Sequence, residues 1–405
     1  PAVVVHNVSS WQAETIPCVT SVRVLQQISN LSAKPTGLIL LPEDVSGWTG
    51  SSSAFVLLQE ALRLFPETHI SFVSSSGFHV AAALLNQGVD SVLLGDQLLL
   101  LSDHPLPAAR KKRMARLQKS HVRTYHSRSD GSHIQVAPLD PDDWKPSDPA
   151  GLERYSLANV ADIACHCDER LAPMGEGVLL SRVWSQSGWT CSDLLSAYRR
   201  YASGSSKSPQ RNTRGLAAMS SWLGTRLPVV QGPMTRVSDE ASFARAVADA
   251  GAMPVIAAAM LPAQRLRAIL DETAERCASL PWGVGLLAFR PQADLRPQIE
   301  QILEVRPDFI VLAGGDPSQI AQFGDLADCV FLHSPTPALF ERQLKEGCRN
   351  FILEGRECGG HTGPCSSLFL WESCLDVLSK QPLQVQEQTK ILFDGGIQGA
   401  GSTVL

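Results

Sequence analysis

His361 is the residue of this sequence best suited to moving a proton. It stands in the run Glu357-Cys358-Gly359-Gly360-His361-Thr362-Gly363, shortly after the apolar stretch Phe351-Ile352-Leu353. Imidazole exchanges protons near neutral pH, and glycine neighbours make it hard to pack as a core side chain. A loop imidazole facing a ligand is therefore the sharper reading, set against one that caps a helix or faces solvent. Glycines also follow other apolar runs, in Gln231-Gly232-Pro233-Met234, Ala313-Gly314-Gly315-Asp316-Pro317 and Asp394-Gly395-Gly396. Such turns let backbone approach a planar or phosphorylated ligand, and Gly395-Gly396 can aim amides at a phosphate. Taken singly, each glycine pair is equally an ordinary tight turn.

What these turns share is what precedes them. Short apolar runs at 229–230, 253–258, 283–287, 309–312, 329–332, 351–353 and 391–393 alternate with amphipathic helical patterns such as 240–250, 262–280 and 339–347. That alternation predicts a parallel sheet with crossover helices. Gly251 and Gly347 fall where a helix end needs the left-handed conformation. Seven such units in succession exceed the needs of an open doubly wound sheet. They predict a (β/α)8 TIM barrel lacking its last βα unit, with its active face at the carboxyl ends of the strands.

An internal repeat extends the prediction. Leu38-Ile39-Leu40, Gly47-Trp48-Thr49-Gly50, Leu57 and Leu62 align without a gap on Phe351-Ile352-Leu353, Gly360-His361-Thr362-Gly363, Leu370 and Leu375. A period this long means duplicated domains, not a solenoid. The first copy continues through a strand at 69–73, a helix at 80–86 and a strand at 91–94. The expected plan is the C-terminal half of a first barrel at 1–103, a connector at 104–218, and a second barrel at 219–405. Trp48 stands where the second copy has His361, and indole cannot shuttle a proton, so the first copy reads as inert. Pro1 at the start suggests an excerpt from a longer polypeptide.

Composition sets the outer bounds. With 405 residues, 44% of them apolar, and a net charge of −5, the chain can bury two or more cores. That balance provides no field for nucleic acid, and Arg110-Lys111-Lys112-Arg113 reads as a solvated helix face. No stretch is apolar for long enough to span a membrane and no charged leader opens the sequence, so a cytoplasmic protein is expected. The ten cysteines form no disulfide framework and are expected to be reduced. Cys165-His166-Cys167 lacks a second ligand pair at a metal-binding distance, so no metal site is expected.

Together, the Gln231 to Met234 turn, the Gly314-Gly315 turn, the Glu357 to Gly363 run and Gly395-Gly396 resemble the nitronate monooxygenases (2-nitropropane dioxygenases) and the flavin-containing enoyl-ACP reductases. The resemblance spans about 227–405, and its most specific element is Gly-Gly-His-Thr-Gly after a strand. The tandem arrangement, with Arg236-Val237-Ser238-Asp239 after the first strand, is similar to the paired barrels of some bacterial polyketide and polyunsaturated-fatty-acid synthases. The resemblance implies an FMN-dependent oxidoreductase, with NADH or NADPH as the candidate reductant and a small-molecule or carrier-bound acyl substrate. Other domains of a synthase would be its partners.

On that resemblance His361 is the proton-transfer residue. Gln231, Gly232, Pro233, Met234, Gly314, Gly315, Glu357, Gly359, Gly360, Gly395 and Gly396 would hold the cofactor, its phosphate near the last two. One departure is the third strand, Gly283-Val284-Gly285-Leu286, where the family commonly ends with an asparagine facing the flavin. Two other readings stand beside this one. The first is a catalytically inert barrel pair serving as a structural module of a synthase. The second is a phosphosugar or nucleotide enzyme, against which the absence of an acidic pair at the strand ends argues.

Overall fold

Gly37-Leu38-Ile39-Leu40 is extended because branched and long apolar side chains pack well on a pleated surface, and tetrapeptides of this kind recur along the chain. The computed structural model describes residues 2–5, 16–126, 133–138, 171–205, 217–360 and 362–397. Its contacts divide the chain into two units. One comprises Pro1–Ser206, Gly355–Asp376 and Asp394–Leu405, the other Lys207–Glu354 and Val377–Phe393.

The first unit contains β1 (Ala2–Val5), β2 (Ile16–Val19), β3 (Gly37–Leu40), β4 (Gly47–Thr49), β5 (His69–Ser74) and β6 (Ser91–Leu94). All but β4 form one parallel sheet in the order β1-β2-β3-β5-β6. The helices Val22–Ser29, Ala54–Leu64 and Phe78–Asn86 lie between its strands along the chain. On β5, exposed His69 and half-buried Ser71 and Val73 alternate with buried Ile70 and Phe72. Each such side chain contributes about 1.5–3 kcal/mol of hydrophobic stabilisation.

The stretch expected to be a connector contributes β7 (Arg123–His126), β8 (His133–Pro138) and β9 (Leu171–Ala172). β8 pairs antiparallel with β7, with β9 and with β4. The Gly-Trp-Thr turn of the first repeat is thereby drawn into a second sheet, with Gly47 opposite Gln135. The basic run lies on the helix Ala108–Met114, whose one buried residue is Met114.

In the second unit the sheet runs β10 (Val255–Ala257), β11 (Gly283–Leu287), β12 (Phe309–Ala313), β13 (Val330–His333), β14 (Asn350–Glu354) and β15 (Lys390–Asp394), in that order. From β10 to β14 every pairing is parallel. A parallel bridge joins Val230 to Met253 ahead of β10, so every one of the seven expected runs takes part in this array. Helices Ala241–Asp249, Ala263–Cys277, Gln292–Val305 and Pro337–Lys345 supply crossovers. Gly251 and Gly347 adopt φ of +90° and +99°, as helix termini require.

The architecture is thus mixed α/β with parallel sheets. Neither sheet closes into a barrel among the described residues, since β15 makes no pairing with the Val230 run. No described helix is long and apolar enough to cross a membrane. No disulfide joins the eight cysteines among the described residues. Cys165, His166 and Cys167 lie outside the described residues.

Candidate active site

Alternate residues of a strand share a face, and in the second unit that rule builds a core. Met253, Val255, Phe309, Val311, Phe331 and Ile352 form one buried cluster with Leu223, and Met219, Val230 and Leu392 pack against it. The two glycines of β11 make room beside this cluster. A Cβ on Gly283 would stand 2.6 Å from the Phe309 carbonyl oxygen, and one on Gly285 would stand 2.5 Å from the Pro233 ring. The glycine-rich third strand, a departure from the resembled family, thus serves close packing of Phe309 and Pro233.

Four of the expected cofactor residues stand at the end of the first run. Gln231 ties that run to β10: its Oε1 accepts the Val255 amide at 3.1 Å and its Nε2 donates to the Val255 carbonyl at 3.4 Å. The Gln231 side chain therefore completes a ladder. Gly232 has open space where a Cβ would be. Met234 is exposed and donates its amide to the buried Ser238 hydroxyl at 2.8 Å.

At the end of β12, Gly314 has φ +67° and its Cβ position lies 2.8 Å from the Phe289 ring; that of Gly315 lies 2.8 Å from Leu312 Cγ. Asp316 then caps the helix Pro317–Ile320. The Ser318 amide and hydroxyl bonded to its carboxylate hold its pKa below the usual range. Met234, Val237, Met260 and Phe289, all beyond the carboxyl ends of the first three strands, are exposed.

The strand ends of β13 and β14 carry a pair that the sequence reading overlooked. His333 Nδ1 lies 2.8 Å from Glu354 Oε2, both side chains largely withdrawn from solvent. The signal was available, since each residue directly follows an apolar run. A cavity of about 1060 Å³ lies at the opposite, amino-terminal end of these strands, lined by residues including Trp222, Pro281, Asp308, Asp328, Arg349 and Lys390. Parallel α/β sheets bind their ligands beyond the carboxyl ends of the strands, which is the other face from this cavity.

The remaining expected residues belong to the first unit, apart from His361, which lies outside the described residues. Glu357 Oε2 accepts from the Ser367 amide at 2.8 Å and from its hydroxyl at 2.6 Å; burial nonetheless pushes its pKa up. Gly395 has φ +122°, and its Cβ position lies 2.1 Å from the Ser367 hydroxyl. Gly396 has φ +76°, with its Cβ position 2.8 Å from the Phe55 ring and 3.6 Å from Glu357 Cβ. Glu357, Gly395 and Gly396 are thus brought together around Ser367. Gly359 and Gly360 have nothing within 4 Å of a Cβ position.

The first unit also buries an acidic network that no motif announced. Glu176, fully buried, meets Arg356 Nη1 at 3.2 Å, pairs with Lys119, and accepts from the Ser366 amide and hydroxyl at 3.1 and 2.8 Å. Burial raises Asp44 to about 7, opposed by Arg356 and reinforced by Glu357 and Glu176. Burial likewise raises Asp96 to about 6, against the Gly175 amide that donates to it at 2.7 Å.

As for FMN, the fit rests on backbone. In the second unit Gly232 presents main chain with no side chain of the described residues against it, as a planar or phosphorylated group requires; in the first unit Gly359 and Gly360 do the same. Gly395 and Gly396 are already required by Ser367 and Phe55.

No known family model matches the sequence, and no curated protein matches it. Solved structures similar to parts of the chain include a variant of FabK from Thermotoga maritima, at 20% identity and a TM-score of 0.39, covering 46% of this chain. A nitroalkane oxidase from Streptomyces ansochromogenes is similar at 18% identity and 0.33 over 41%. The enoyl reductase domain of MlnA, from the macrolactin biosynthesis cluster of Bacillus amyloliquefaciens, is similar at 14% identity and 0.36 over 46%. The chain spans 60%, 57% and 52% of these three chains respectively.

Proposed function

We propose that the chain from about residue 227 onward is a flavin-dependent oxidoreductase of the nitronate monooxygenase and enoyl reductase kind, acting on a carrier-bound acyl substrate within a multidomain synthase. The observation that carries this reading is positional. Seven apolar runs form a parallel array in chain order, and the Gln231 to Met234 and Gly314-Gly315 turns stand at its carboxyl ends. Beside them, exposed Met234, Val237, Met260 and Phe289 form an apolar rim. Such a rim suits an acyl chain better than a small nitronate.

FMN would be held at the carboxyl ends of the parallel array by Gln231, Gly232, Pro233, Met234, Gly314 and Gly315; for Glu357, Gly359, Gly360, Gly395 and Gly396 the cofactor role rests on the family resemblance of their sequence motifs. When bound it supplies the electron transfer, with NADH or NADPH as reductant. The chain's own work is to orient the acyl group, keep water away and move a proton, and His361 is assigned that proton.

One observation favours a second reading, a structural module without turnover. Ser367 and Phe55 by themselves account for the glycines at 395 and 396. Purification of the whole chain separates the two. A yellow protein that releases FMN on denaturation supports the enzyme, and a His361→Ala variant should keep flavin and lose reduction of a crotonyl thioester. A colourless chain that does not take up added FMN would leave the structural reading standing.

A further inference from the structure

The second unit holds a histidine–carboxylate pair that the proposed reaction does not use. Phe331 and His333 share a face of β13, and Ile352 and Glu354 share a face of β14, because side chains two apart point the same way. Phe331 and Ile352 belong to the buried apolar cluster. His333 and Glu354 therefore stand over that cluster, one layer nearer the carboxyl ends of the strands. In register Leu332 stands opposite Phe351 and His333 opposite Ile352, so His333 is level with the top of the cluster on β14 and Glu354 lies one step beyond it.

The neighbours at the level of His333 are set by register. Leu312 pairs with Leu332, which puts Ala313 beside His333, and Ala313 pairs with Leu287 on β11. Large buried apolar side chains fill the lower levels, whereas Leu287, Ala313 and His333 are each partly exposed. The short Ala313 side chain next to the imidazole leaves this level open to a ligand from the carboxyl ends of the strands. With 14% and 9% side-chain exposure, His333 and Glu354 are withdrawn from water, where an unpaired charge would be costly.

We propose that His333 is a second proton-transfer residue of this face, with Glu354 as its positioning residue, acting on the carbon next to an acyl thioester. The substrate class rests on the function proposed above. Nδ1 faces Glu354, so Nε2 is the nitrogen left to meet a ligand. In the step, Nε2 takes the proton α to the thioester carbonyl. The C–H bond breaks, an N–H bond forms, the electron pair stays on the substrate as the enolate, and Glu354 balances the imidazolium. Return of the proton reverses it, and neither oxidant nor reductant is needed.

The test is deuterium uptake by butyryl-pantetheine in D2O with the full chain and no reductant, read by mass spectrometry, with flavin content recorded in the same samples. The native chain should exchange the α-hydrogens. His333→Gln should slow exchange at least tenfold, Glu354→Gln should slow it less, and free imidazole should restore part of the rate to His333→Ala. Unchanged exchange in His333→Gln, or native exchange no faster than in buffer, overturns the proposal. If the variants fail to fold, nitrogen NMR of the native imidazole decides: a proton on Nδ1 is expected, and a ring protonated on Nε2 alone overturns it. A chain that exchanges but holds no FMN sinks the flavin reading and leaves this one. A chain that holds FMN without exchange depending on His333 does the reverse.

Discussion

Glu372 caps a helix that begins almost three hundred residues earlier: its carboxylate lies 2.9 Å from His79 Nδ1 and accepts the Val80 amide at 2.9 Å and the His79 amide at 3.4 Å. The helix Phe78–Asn86 has Gly77 at its N-cap, which offers no side chain to the first amides. Glu372 performs that task from the helix Ser367–Ser379, and a Cβ on Gly77 would stand 2.3 Å from its Oε1.

Removing this carboxylate should destabilise the first unit. Glu372 is fully buried, and its loss leaves two amides and an imidazole without a partner. Glu372→Ala is expected to cost about 3 kcal/mol, and Glu372→Gln less, read as the shift in urea midpoint. Glu341→Ala, which removes an exposed pair with Lys345, should change stability by less than about 0.5 kcal/mol. Equal midpoints for Glu372→Ala and the native chain would refute the capping role.

Stability should fall as pH rises from about 4 to about 7. Asp44 is raised to about 7 and Asp96 to about 6 in the folded chain, while an unfolded aspartate titrates near ~3.9. Between those values the folded state holds protons that the unfolded state has released, so unfolding is favoured with rising pH by about 1.4 kcal/mol per pH unit for each such proton. Urea denaturation at pH 5 and pH 8 should show the native chain weaker at pH 8. Asp44→Asn should narrow the difference, and an unchanged pH dependence would show that Asp44 is not the group responsible.

The glycines divide by what surrounds them. Gly395→Ala places a methyl group against the Ser367 hydroxyl at φ +122°, and should cost about 2 kcal/mol or more. Gly359→Ala meets nothing and should leave thermal stability unchanged. If FMN rests on that backbone, Gly359→Ala should nonetheless weaken flavin binding, measured by fluorescence titration. Equal flavin affinity in Gly359→Ala and the native chain would remove Gly359 from the binding surface.

Phe331 tests the core of the second unit. It is fully buried in the cluster, its ring centroid 4.7 Å from that of Phe309. Phe331→Ala should cost about 3–5 kcal/mol. A loss below about 1 kcal/mol would mean that the cluster is not a packed core.

Periodicity made the second unit legible. Alternation of apolar runs with amphipathic stretches depends on neighbours in sequence, so all seven runs and the helix ends at Gly251 and Gly347 could be located from residue types. Two helix ends escaped: Ala278 and Arg306 adopt φ of +50° and +58°, and neither residue type signals a left-handed turn. β4 escaped as well, because its partner β8 lies in a stretch of weak pattern.

Residue order alone thus determined the α/β class and the succession of parallel runs, because each is set by local pattern. Only tertiary structure decided what each polar group does. Gln231 completes a ladder with Val255, Glu357 holds Ser367, and His333 finds Glu354. Asp44 takes its raised pKa from burial, with Arg356 opposing it. Such pairings join residues far apart in the chain, and their energies depend on exclusion of water, which no local pattern encodes.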